Sequence, residues 1–270
     1  MKLFMILVSV LLPATVEAYT FMFKSDLLIA IEAYDTDPTA AEATYGPIDG
    51  WDVSRITDMS SLFQAKANFN ADISGWDTSS VTDMSIMFHS AAAFNQPLTF
   101  DTSSVTSMAS MFQQNAAFNQ PLSLDTSRVT DMGFMFGYAS AFNQPLSFDT
   151  SSVTDMASMF HWASAFNQSL TFDTARVTSM HAMFFYAVAF NQPLSLDTSS
   201  VTSMAKMFDS AAAFNQPLTF DTSSIASMSD MFKVRLALCP ERPRPLDGPA
   251  LRAPSPPLYT PHVSRPVHRP

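Results

Sequence analysis

One short phrase recurs along most of this chain of 270 residues at an almost constant interval. It is centred on an "MF" or "LF" pair, and each Phe follows the previous one by 25 residues once and by 24 residues six times. The residues concerned are Phe63, Phe88, Phe112, Phe136, Phe160, Phe184, Phe208 and Phe232. Eight copies in nearly constant phase predict a solenoid in which each copy forms one turn that stacks on the next.

The residues within one copy predict what each turn contains. In the copy that begins at Leu98, that residue and Phe100 alternate with polar residues, which predicts a short strand with both side chains inward. The turn-forming stretch "DTSSVT" follows, and Met108 and Phe112 then lie at helical spacing. We therefore predict an α/β solenoid of about eight 24-residue turns, each a strand, a bend and a helix, which is a size typical of leucine-rich repeats.

The full phrase, "VTDMxxMFxxAxxFNQPLxxxDTSS", resembles the repeat of BspA-like leucine-rich-repeat surface proteins, also described as a mycoplasma and Listeria lipoprotein repeat. The resemblance covers about residues 50–232. It implies an extracellular or cell-surface solenoid, in several cases concerned with adhesion, and it implies no catalytic residue. The chain departs from the family in two ways: Tyr19 stands where a lipid-attached cysteine is expected, and only Trp51 and Trp76 keep a tryptophan that such repeats often show.

The segment before the repeats divides into two parts. Residues 1–18 combine Lys2, an apolar run of about ten residues and a small-x-small ending, which predicts a secretory signal cleaved before Tyr19; an uncleaved anchor is the alternative. Residues 19–49 predict a helical N-terminal cap, in which Ser25 and Asp26 cap "LLIAIEAY" and a second helical stretch follows Pro38. The cap would cover the first core layer of the solenoid.

The segment after the repeats has a different composition. Residues 233–270 hold ten prolines and seven of the 14 Lys and Arg residues, which predicts a disordered or extended tail, either a real basic tail or an error in the gene model. The single cysteine, Cys239, lies there as an incidental thiol or, alternatively, one that pairs between molecules. The preceding part is strongly acidic and has no basic stripe, which argues against nucleic acid as a partner.

Two rows of acidic residues recur. The first could accept hydrogen bonds from the bend that follows it or, alternatively, hold calcium between turns; the bend interpretation is favoured because the chain has only six glycines. It comprises Asp52, Asp77, Asp101, Asp125, Asp149, Asp173, Asp197 and Asp221. The second row, at Asp58, Asp83, Asp131 and Asp155, is replaced by Ser in other copies, which indicates helix N-caps. We predict no metal and no cofactor.

An asparagine follows a Phe in most copies. Because an amide side chain both accepts and donates, a stacked row can satisfy buried backbone groups from turn to turn. This predicted ladder contains Asn70, Asn95, Asn119, Asn143, Asn167, Asn191 and Asn215. Only Asn167 lies in an N-x-S sequence, so it is also a possible glycosylation site.

Information about a partner should lie where the copies differ. Tyr138, Trp162 and Tyr186 occupy the same place in three consecutive copies, and His181 lies nearby. With neighbouring side chains they form a candidate ligand-binding set that consists of Phe134, Tyr138, His161, Trp162, Phe185 and Tyr186. A helical wheel places Trp162 beside the core and His161 and Phe185 nearer to solvent. The set is either a binding strip for a protein or a glycan or packing at the edge of the core.

These observations predict a secreted or cell-surface repeat protein that is not an enzyme and acts as an extracellular binding or adhesion module. Its partner would be an extracellular protein or glycan, with no nucleic acid and no membrane span. The alternative is a structural cell-wall or matrix solenoid, with an ice-interacting surface a weaker variant. The ice surface would use the row Thr99, Ser123, Ser147, Thr171, Ser195 and Thr219.

Overall fold

A computed structural model describes residues 19–233. The predicted signal sequence and, except for Lys233, the predicted tail with Cys239 lie outside the described residues. Two α-helices and one 3-10 helix precede the repeats: α1 at Lys24–Thr36, α2 at Pro38–Tyr45 and the 3-10 helix at Ile48–Gly50. The rest of the described chain consists of tight turns and isolated β-bridges.

The two helices begin in different ways. Helix α1 starts after Phe23 with no side-chain cap, so the predicted capping by Ser25 and Asp26 is wrong, because both residues lie inside its first turn. Helix α2 starts at Pro38, where proline's fixed φ suits the first helical position, and the Asp37 carboxylate accepts the Ala40 N–H at 3.2 Å.

The N-terminal segment covers the first repeat. Thr20 forms a parallel bridge with Asp52, and the Phe21 N–H donates to the Asp52 carbonyl at 2.9 Å while the Asp52 N–H donates to the Tyr19 carbonyl at 3.0 Å. Lys24 donates to the Asp58 carboxylate at 2.9 Å. The edge of the first repeat is therefore already paired.

Each repeat is joined to the next by backbone hydrogen bonds. The N–H groups of Met84, Ile86 and Phe88 donate to carbonyls 23 residues further on at 3.1, 2.8 and 2.9 Å, and the following repeats use the same pattern. A column of single-residue parallel bridges runs beside these bonds. It contains Asp58, Asp83, Ser107, Asp131, Asp155, Ser179, Ser203 and Ser227.

The predicted strand and helix of each repeat are absent from the described repeats. At the predicted strand the structure has one bridge, Leu98 to Leu122. In place of a helix the backbone makes successive tight turns, with Met87 N–H donating to Met84 and φ values of 62° at Ile86 and 58° at Ser90. An α-helix needs negative φ throughout. The prediction failed because successive turns produce the same i, i+3, i+4 apolar spacing as a helix.

Two columns of stacked phenylalanines form the centre of the core. In the first, which consists of the eight Phe residues of the "MF" or "LF" pairs, neighbouring ring centroids are 5.3–5.8 Å apart with planes within 8° of parallel. The second has centroid separations of 5.9–6.1 Å. It contains Phe69, Phe94, Phe118, Phe142, Phe166, Phe190 and Phe214. We call these the inner Phe columns, and the burial of their rings contributes to stability.

Candidate functional site: an aromatic cluster on the repeat surface

The six candidate residues form one continuous cluster, which we call the aromatic cluster. His161 contacts Phe134, Tyr138 and Phe185, with ring centroids 5.7, 5.1 and 4.7 Å apart. Phe185 in turn contacts Tyr186 at 4.8 Å. The structure therefore brings together side chains from three consecutive repeats, because positions one repeat apart are neighbours in the stack.

Three rings of the cluster form a surface column. The Trp162 ring lies 6.0 Å from the Tyr138 ring and 4.1 Å from the Tyr186 ring, with planes within 6° of parallel. Tyr138 and Trp162 are each 40% exposed. Because a neighbouring ring lies on each side of Trp162, its ring edge and indole N–H are the groups most open to a partner.

The exposures of Trp162, His161 and Phe185 differ from the helical-wheel prediction. Trp162 is exposed, whereas His161 and Phe185 are half-buried. The order is reversed because the segment is a series of tight turns, in which residues one repeat apart align by backbone pairing and not by a helical angle. The wheel was therefore the wrong geometry for this segment.

His161 is the half-buried polar centre of the cluster. Burial, followed by the nearby positive charges of His181 and Lys206, lowers the pKa of His161 to about 4. Its ring is therefore neutral at pH 7, and its buried Nδ1 has no hydrogen-bond partner among the described residues. A neutral ring can pack among Phe134, Tyr138 and Phe185 without the cost of burying a charge.

The backbone under the surface column is held in the left-handed region. Tyr138, Trp162 and Tyr186 have φ values of 60°, 58° and 55°. The N–H of Trp162 donates to the Phe185 carbonyl at 2.7 Å. Ser90 and Gln114, at the same place in earlier repeats, have φ values of 58° and 59°, so this conformation belongs to the repeat and not to the cluster.

Sequence analysis missed one apolar neighbour of the cluster. Val188 is 41% exposed, and its N–H donates to the Tyr186 carbonyl at 2.9 Å. The corresponding residues in the two preceding repeats are Ser140 and Ser164. The change from Ser to Val at this position is the sequence signal that could have identified Val188.

The asparagine row lies apart from the aromatic cluster and links successive repeats. From Asn95 to Asn215, each Asn N–H donates to the side-chain oxygen of the Asn one repeat earlier at 2.9 Å. Asn167 takes part fully: its Oδ1 accepts the Asn191 N–H, and Gln192 Nε2 donates to the same oxygen at 3.1 Å. These ladder bonds engage the Asn167 Oδ1, whereas an N-linked glycan would attach at Nδ2.

The first acidic row caps bends. The Asp101 carboxylate accepts both the Ser103 hydroxyl, at 2.7 Å, and the Ser103 N–H, at 2.9 Å, and these bonds lower the pKa of Asp101. The same pair of bonds recurs at Asp125 and Asp149. The arrangement is the Asx-type bend, and the carboxylates lie at the surface.

The second acidic row does not cap helices, because the described repeats contain none. Its side chains accept the N–H two residues on, as Asp131 does from Gly133 at 2.8 Å. Burial, with added repulsion from Asp155 and Asp83, raises the pKa of Asp131. Within residues 19–233 no three His, Cys, Asp or Glu side chains are grouped to hold a metal ion.

Comparison with known proteins identifies a family. The family model described as "Mycoplasma protein of unknown function, DUF285" matches residues 32–147, 98–172 and 170–238, which together span most of the chain. No curated protein and no solved structure matches the chain. No helix in the described part of the chain is long and apolar enough to cross a membrane.

Proposed function

We propose, from the premise that the chain belongs to the DUF285 family of mycoplasma-type repeat proteins, that it is a non-enzymatic binding module displayed outside the cell. The repeats would serve as a rigid scaffold, and the aromatic cluster would bind an extracellular partner. We also propose the finer classification suggested by the sequence, a leucine-rich-repeat-like solenoid related to the BspA-like surface proteins.

The observation that carries the proposal is the exposed ring column. Large aromatic side chains usually avoid solvent, yet Tyr138 and Trp162 remain 40% exposed. Exposed, ordered aromatic residues cost little conformational entropy on binding, and Trp and Tyr are the side chains most enriched among binding hot spots.

The stacking of the rings favours a protein partner over a glycan. A sugar ring packs against the open face of an aromatic ring, but Trp162 has the Tyr138 ring on one side at 6.0 Å and the Tyr186 ring on the other at 4.1 Å. The ring edges, the indole N–H and the hydroxyls instead suit an apolar groove lined with carbonyl acceptors. We therefore place an extracellular protein first and a glycan second.

The test is a printed array that carries both glycans and extracellular-matrix proteins, probed with the secreted protein and with the variant Tyr138→Ala/Tyr186→Ala. We expect the wild type to bind one or more matrix proteins and the double variant to lose that signal. Phe23→Ala is the matched control, since Phe23 is an aromatic residue 66% exposed at the other end of the described chain. Equal signals from the wild type and the double variant would contradict the proposal.

A second candidate, an ice-interacting surface, is supported by a column of threonines that differs from the row expected from sequence. Each threonine hydroxyl donates to the carbonyl of the threonine one repeat earlier, at 3.0–3.2 Å, so the side chains are locked at a regular interval. The donors are Thr82, Thr106, Thr130, Thr154, Thr178 and Thr202. A thermal hysteresis assay tests this candidate, and freezing-point depression no greater than that of an inert protein would remove it.

A further inference from the structure

The two ends of the repeat stack differ in what covers them. At the first repeat, residues 19–21 and helix α1 occupy the edge. At the last repeat the apolar positions are open within residues 19–233: Met228 is 42% exposed where Met204 is 0%, and Phe232 is 54% exposed where Phe208 is 3%. We call this surface, which contains Ala226 to Phe232, the terminal face.

The terminal face also contains a backbone hydrogen-bond acceptor and a backbone donor. One repeat earlier, the Thr202 carbonyl accepts the Ala226 N–H at 2.8 Å, and the Met204 N–H donates to the Ser227 carbonyl at 2.9 Å. The groups in the same places on the last repeat are the Ala226 carbonyl and the Met228 N–H. Neither has a partner among the described residues, so the face is an unpaired β edge.

This pair of groups is self-complementary. In an antiparallel pair, some facing residues form no hydrogen bond with each other and are flanked by two bonds between the strands. In each of these bonds, the N–H of the residue after one facing residue donates to the carbonyl of the residue before the other. With Ser227 opposite Ser227 of a second copy, each Met228 N–H meets the other copy's Ala226 carbonyl. A two-fold axis thus satisfies both groups with the same surface on each copy.

We propose that the terminal face pairs with a second copy of this chain to form a two-fold dimer. The contact buries the apolar Met228 and Phe232 and closes the open edge. Because the contact uses the same surface on each copy, it closes at two copies and leaves no terminal face free for a third. Each dimer carries two aromatic clusters, which strengthens binding to a surface that presents many copies of a partner.

The direct test is a cysteine placed on the two-fold axis. In Ser227→Cys, made with Cys239→Ser so that no other thiol is present, the two Cβ atoms lie about 4.5–5.5 Å apart, close enough for a disulfide after a small adjustment. We expect a disulfide-linked dimer under mild oxidation. Ser203→Cys, the same position one repeat earlier, is the matched control and should stay monomeric.

Sedimentation of the wild-type full chain over a concentration series supplies the second measurement. We expect a monomer–dimer equilibrium that is shifted at least tenfold toward monomer by Met228→Glu, which places two charges across the axis. Phe23→Glu adds the same charge to an exposed apolar residue elsewhere and should leave the equilibrium unchanged.

Three results would overturn the proposal. The first is a wild type that stays monomeric at all concentrations, and the second is equal cross-linking of the two cysteine variants. The third is a monomer in which hydrogen exchange shows a protected Met228 amide, because the edge would then be covered by the chain's own residues 234–270. All three results concern assembly and leave the binding role of the aromatic cluster to its own test.

Discussion

The inner Phe columns and the surface ring column place aromatic rings one repeat apart in nearly parallel stacks. In the inner Phe columns the rings recur from repeat to repeat and those before Phe214 are buried, whereas Tyr138, Trp162 and Tyr186 form a partly exposed column of three. The difference teaches that one backbone geometry serves two purposes. Residues that recur in every repeat hold the stack together, and residues that depart from the pattern give one part of its surface a distinct chemistry.

Replacing a ring of the inner Phe columns should have the largest effect. Phe136→Ala leaves a cavity between Phe112 and Phe160, and we expect the free energy of unfolding to fall by about 3–5 kcal/mol in urea denaturation. Trp162→Ala removes a larger side chain, but this side chain is partly exposed. The free energy of unfolding should therefore fall by less than about 1.5 kcal/mol. Equal losses of unfolding free energy in the two variants would contradict the distinction between the inner Phe columns and the surface ring column.

The asparagine ladder should contribute the next largest effect. In Asn119→Ala the Asn143 N–H loses its acceptor, and Gln144 Nε2 loses a bond of 3.2 Å. Because a half-buried donor is left without a partner, we expect a loss of about 1–3 kcal/mol. Gln120→Ala removes only a donor to the Asn95 carbonyl and should cost about 1 kcal/mol or less by the same denaturation measurement. A larger loss in Gln120→Ala than in Asn119→Ala would contradict the claim that the asparagine side chains link the repeats.

Removing the steric strain that a side chain causes at a left-handed φ should stabilise the protein. Ser110 has a φ of 57°, and glycine adopts that value without the clash that a Cβ atom causes. We expect Ser110→Gly to raise the free energy of unfolding by about 1 kcal/mol. Ser110→Ala keeps the Cβ atom and serves as the control. A gain in the alanine variant as well would show that the hydroxyl, and not the backbone, is the cause.

The smallest effect concerns Asp131 and depends on pH. Its pKa is raised in the folded protein by burial and by Asp155 and Asp83, so its ionised form is less favourable there than in the unfolded chain. Its unfavourable effect is present at neutral pH and disappears as the pH falls through the raised folded pKa toward the unfolded one. Asp131→Ser, which copies Ser107, should therefore stabilise by about 0.5 kcal/mol at pH 7 and by nothing at pH 3. The same gain at both pH values would exclude this charge effect.

The sequence predicted which residues are neighbours better than it predicted the backbone between them. A constant interval places Trp162 beside Tyr138 and Tyr186 whatever the local conformation, so the aromatic cluster could be found from spacing alone. The φ values above 50° at Ile86 and Ser110 could not be found, because neither residue favours them in isolation. They are imposed by pairing with the adjacent repeats, and for that reason the exposures of His161 and Trp162 were reversed.

The most direct test of the account compares the binding of Trp162→Ala and of the wild type to the matrix protein that gives the strongest array signal. We predict a dissociation constant at least about tenfold weaker for the variant, as expected for the loss of a hot-spot tryptophan, with its cooperative unfolding transition retained. An unchanged dissociation constant would contradict the claim that residues departing from the repeat carry recognition.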